Sequence, residues 1–141
     1  MANLCSQVEH MSDFRKLEVW QKAHELMLRV NDVAAEIRGA EFLSLKSQII
    51  RSAMSIPANI VEGRAQSSDK QFSRFVGYAI GSSSELEYHL LAAQDIGVLD
   101  ERKTEPLIKR EHPSPKDAHR ATKETDWTHQ QNRSGMNRNC W

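Results

Sequence analysis

A chain of 141 residues holds material for one domain with a single sizeable core. Its 19 basic and 19 acidic side chains cancel, which argues against a chain-wide basic field for nucleic acid and leaves room only for a local patch. Two cysteines at opposite ends, Cys5 and Cys140, make neither a disulfide framework nor a zinc spacing, and they fit a reducing compartment.

Residues 1–12 show no period and read as a flexible leader, without the basic and apolar regions of a secretory signal. The longest apolar run, Leu90 to Ala93, is four residues, far short of a membrane span. A soluble, cytoplasmic protein with no membrane partner is expected.

From Asp13, read as an N-cap, the spacing predicts a helix over 13–38. Val19, Ala23, Leu26, Val30, Val33 and Ile37 recur at steps of four and three, and Trp20, Met27 and Ala34 widen the stripe. Gly39 is a natural stop. A second stripe, Phe42, Leu45, Ile49, Ala53, Ile56 and Ile60, predicts a helix over 42–63 ending at Gly63.

Within it lies RSAMSIPANIVEG, where Ala53, Met54, Ile56, Ile60 and Val61 suit one helical face. Pro57 has no N–H for the carbonyl of Ala53 and costs ~3 kcal/mol in a helix interior. The stripe nevertheless continues in phase across it, which predicts one helix kinked at Pro57 rather than two helices. Asn59 and Glu62 lie just beyond the kink, with Arg51 and Ser55 before it. These form a small polar cluster whose ordinary role is to satisfy the freed carbonyl; no nucleophile–base pair is visible in it.

The polar segment RAQSSDKQ reads as a turn, with Ser68 and Gln71 in the form of a capping box. A third helix is predicted over 69–96, with Phe72, Val76, Ala79, Ser83, Leu86, Leu90 and Ala93 as its stripe and Gly97 as its stop. Its centre, GYAIGSSSE, is rich in small residues that weaken a helix, so close approach of a neighbouring helix is expected at Gly77, Gly81 and Ser82 to Ser84. A fourth helix begins at about 105–111, with Thr104 as its cap, Pro106 in its first turn, and Leu107 and Ile108 opening an apolar face. Residues 112–141 hold no Val, Ile, Leu or Phe, and a disordered, atypical tail is expected there.

No segment shows period-two alternation with β-branched enrichment, so strands are not expected. The fold class is therefore all-α: an antiparallel up-down four-helix bundle over 13–110 with the fourth helix short, altered or missing. Di-iron chemistry in such a bundle needs Glu-x-x-His pairs; here Glu85 and His89 are four apart and His24 follows Gln21 by three. No metal, no cofactor, no catalytic residue and no small-molecule substrate is assigned. Arg51, Arg64, Lys70 and Arg74 around the second turn form a candidate basic edge for nucleic acid, with ordinary surface charge as the competing reading.

Three segments, FRKLEVWQKAHEL, QIIRSAMSIPANIVEG and FVGYAIGSSSELEYHLLAAQDIGVL, together resemble the four-helix bundle family known as 23S rRNA-intervening sequence proteins. The resemblance covers about residues 13–110. It implies an antiparallel bundle that assembles with copies of itself into a ring, typically a pentamer, without an established enzymatic activity. A more distant likeness to the accessory proteins of diversity-generating retroelements implies nucleic acid and a reverse transcriptase as partners. The chain departs from the family pattern after Arg110, where a leucine-bearing helix would continue; a frameshift or a replaced C-terminus produces such a pattern, and loss of that helix would expose three apolar stripes. The expected role is a non-enzymatic, self-assembling scaffold or adaptor, and the alternative is an RNA-binding protein acting through a symmetric basic ring.

Overall fold

The computed structural model describes residues 13–110 together with Lys116, Arg120 and Lys123. Its helices are α1 (Glu18–Ala34), α2 (Leu43–Arg64), α3 (Asp69–Asp95) and α4 (Glu101–Arg110), with 3-10 turns at Phe14–Lys16 and Ala40–Phe42. No strand occurs among the described residues. Short connections fold consecutive helices back on one another. α1 packs on α2, α2 most extensively on α3, and α4 lies against both α1 and α3. α1 and α3 are diagonal and make no direct backbone approach.

The predicted stripes form the core. Val19, Ala23, Leu26, Val30, Ala34 and Ile37 from the first segment meet Ile49, Ala53, Ile56 and Ile60 of α2. Phe72, Val76, Ala79, Leu86, Leu90 and Ala93 of α3 close the other side. Met54 departs from its expected place: it is 55% exposed, and Val61 is half-buried. A helix advances 100° per residue, so a residue adjacent to Ala53 turns out of the stripe.

The first helix starts later than expected. Asp13 does cap, accepting from the Arg15 N–H at 3.1 Å, but it caps the 3-10 turn. Leu17 then adopts an extended conformation and is buried, so seating it in the core sets the break before Glu18. α1 ends at Ala34, and Gly39 turns the chain at φ +101°, a conformation glycine tolerates without steric cost. α2 runs unbroken through Pro57.

Ser68 caps α3 by accepting from the Gln71 N–H at 3.3 Å. The reciprocal half of the capping box is replaced by a bond from the Ser68 hydroxyl to the Gln71 side-chain oxygen at 3.3 Å. At the other end Gly97, at φ +80°, donates to the Gln94 carbonyl at 2.8 Å while Val98 donates to Ala93 at 3.0 Å. That is a Schellman closure.

α4 corrects the expected start. It begins at Glu101 because Asp100 caps it, accepting from the Arg102 N–H at 2.8 Å. Thr104 is not the cap; it is fully buried, bonds back to the carbonyls of Asp100 and Glu101, and accepts from the Gln94 side chain. Pro106 therefore sits inside the helix, past its first turn, with an exposed ring. Leu107 is buried beneath it.

The tail and leader expectations lie outside the described residues, apart from Lys116, Arg120 and Lys123. Those three are helical and exposed. Arg120 pairs with Glu18 at 3.3 Å, while Lys103 pairs with Glu36. Glu18 opens α1 and Glu36 lies just beyond its end.

Candidate functional site

The proline segment is the most distinctive local chemistry. Pro57 is buried, and its lost N–H leaves the Ala53 carbonyl without its helical donor. Asn59 does not serve that carbonyl. Its side-chain amide donates to the Ser55 carbonyl at 2.8 Å and to the Ser55 hydroxyl at 3.1 Å. The Ser55 hydroxyl in turn meets the Ser82 hydroxyl of α3 at 2.9 Å. Asn59, Ser55 and Ser82 thus stitch α2 to α3 by side-chain bonds in a half-buried seam.

None of the three is a base strong enough to activate a hydroxyl, so the seam holds helices together and has no means of attacking a substrate. Glu62, expected beside it, is exposed, and its backbone carbonyl accepts from Gln66. Gly63 is buried for a steric reason: a Cβ there would stand 2.6 Å from Cβ of Phe75 and 3.1 Å from the Phe72 ring. The close approach of two helices therefore falls at Gly63. At Gly77 and Gly81, where it was expected, an added Cβ meets nothing within 4 Å, and both residues are exposed.

The four basic residues are only partly brought together. Arg64 ends α2, and Lys70 and Arg74 occupy the first turns of α3. Arg51 lies 13 residues before Arg64, about 20 Å along the helix, and stands apart from the turn. Partial burial lowers the Arg64 guanidinium's pKa, opposed by the Asp69 carboxylate. Arg74 donates to the Tyr78 hydroxyl at 2.6 Å and lies over its ring at 5.6 Å. The grouping at the turn is thus Arg64, Lys70 and Arg74, tempered by Asp69.

The two histidines of the bundle have apolar or local partners. His24 stacks on Trp20 with ring centroids 4.7 Å apart, and Phe14 meets the same indole edge-on at 5.0 Å. His89 faces Glu85 at 3.4 Å. Among the described residues, no group of three or more His, Cys, Asp or Glu is placed to hold a metal ion, and no helix is long and apolar enough to cross a membrane.

Sequence reasoning passed over the outward apolar side chains. Leu28, Leu43, Met54, Tyr78, Tyr88 and Leu91 are each more than 40% exposed. Their signal was present as large residues off the three–four stripe, such as Leu28 beside Met27 and Tyr88 between Glu87 and His89. A family model described as 23S rRNA-intervening sequence protein matches residues 15–112. No curated protein matches the chain.

Proposed function

The chain belongs to the 23S rRNA-intervening sequence protein family, and from that premise we propose that it is a non-enzymatic, self-assembling helical scaffold or adaptor working in the cytoplasm. One observation carries the reading: large apolar side chains stand exposed on successive outward helix faces, with Leu28 at 50%, Met54 at 55% and Tyr88 at 66%. These side chains supply apolar area for a second copy to bury. The family resemblance implies a ring, typically of five copies, as the form of that cover.

Light scattering of the full chain over a concentration series tests the proposal. A mass of several protomers is expected; a monodisperse monomer at all concentrations refutes it. Nucleic-acid binding is a second reading, favoured by Arg64, Lys70 and Arg74 at a single turn. A ring would repeat that weak patch and multiply its avidity. Arg64→Glu with Arg74→Glu should then weaken a gel shift with structured RNA and flatten its salt dependence, and unchanged binding at low salt rules this reading out.

A further inference from the structure

One aromatic ring stands on the outside of the bundle in a fixed setting. Tyr78 of α3 is 45% exposed, and half-buried Phe75 braces its ring edge-on, with centroids 5.6 Å apart at 84°. Arg74, one turn earlier, lays its guanidinium over the ring at 5.6 Å and donates to the Tyr78 hydroxyl at 2.6 Å. Lys70, exposed a further turn back, extends the line, since residues four apart share a helix face. Gly77 and Gly81 follow Arg74 and Tyr78 by three and are their neighbours on the helix surface. A Cβ added at either glycine would meet nothing within 4 Å, so the strip beside the ring is bare among the described residues.

Cations alone take any polyanion. A braced ring with a guanidinium against it adds a flat apolar surface, and a flat surface is what an unpaired base requires, because every base has a π-face. Bases inside a duplex already stack on one another and have no free face to offer. The carboxylates of an acidic peptide would meet Lys70 and Arg74 but have no ring to set on Tyr78. Asp69, beside Lys70, tempers the positive charge without reaching the aromatic end of the strip two turns away.

We propose that Lys70, Arg74 and Tyr78 form a stacking platform for the unpaired bases of a single-stranded nucleic acid. The proposal rests on the nucleic-acid reading of the α2–α3 turn and names the form of strand that the turn takes. Lys70 and Arg74 neutralise phosphates, and a base lies on the Tyr78 ring. Phe75 and Arg74 already hold that ring, so little of its freedom is lost on binding.

Fluorescence anisotropy on the full chain tests this, with a short labelled single-stranded RNA and a duplex of the same length. The wild type is expected to bind the single strand more tightly than the duplex at matched salt. Tyr78→Ala should weaken single-strand binding about tenfold and leave duplex binding and the salt dependence as they were. Tyr78→Phe keeps the ring and should bind as the wild type does. Lys70→Gln should weaken both forms alike and flatten their salt dependence.

If the wild type prefers the duplex, or Tyr78→Ala holds the single strand as tightly as the wild type, the platform is overturned while the nucleic-acid reading stands. A wild type that binds neither form overturns both. Polyglutamate competing as well as unlabelled single strand would show a general anion surface, and that too overturns the platform. Melting curves followed by circular dichroism confirm that each variant remains folded.

Discussion

Gly63 shows how one missing methyl group positions two helices. Its Cβ would lie 2.6 Å from Cβ of Phe75, a contact that requires backbone movement because neither atom is the end of a flexible chain. Gly63→Ala should destabilise the protein by about 1–3 kcal/mol through overpacking, visible as a lower denaturation midpoint. Asp100 makes a different prediction. Its hydrogen bonds from the Arg102 side chain and backbone hold its carboxyl below the ordinary value of 3.8. A depressed folded-state pKa gives stability that is complete above the unfolded value and is lost as pH falls through the folded one. The melting temperature should therefore drop below about pH 4, and Asp100→Asn should remove that part of the acid dependence, as thermal melts across the acid range would show.

At the scale of elements, α4 is the helix with the clearest internal conflict. Pro106 sits past the first turn, so the carbonyl of Arg102 has no helical donor at that step. Since the ring is exposed, Pro106→Ala restores the bond without disturbing the core. It should stabilise the protein by about 1–3 kcal/mol, measured by urea titration; an unchanged midpoint would mean that α4 contributes little to the folded state. The stripes of α2 and α3 were legible in the sequence because burial repeats every three or four residues, and Ile49 to Ile60 and Phe72 to Ala93 obey that period. Helix starts were less legible. Asp100 and Thr104 are both good caps by residue type, and only the burial of Thr104 against Gln94 decides between them. Gly77 and Gly81 were misread for a related reason: composition signals that a helix tolerates small residues without saying whether the open side faces its own chain or the outside.

At the scale of the molecule, the helices are unequally held. The α2–α3 pair combines the broadest packing with the Ser55–Ser82 bond and the close approach at Gly63. Among the described residues, α4 brings buried Leu107 and Thr104 against α1 and α3, whose backbones make no close approach to each other. Among the described residues, the side carrying α4 is the more lightly packed wall. In native-state hydrogen exchange, amides of α4 should exchange by local opening well before those around Ile56 and Leu86, whose release needs global unfolding. Equal protection in both would show a single cooperative unit. The unequal packing of the described helices makes this bundle a hinged enclosure, with a durable hairpin on one side and a shutter of lower stability on the other.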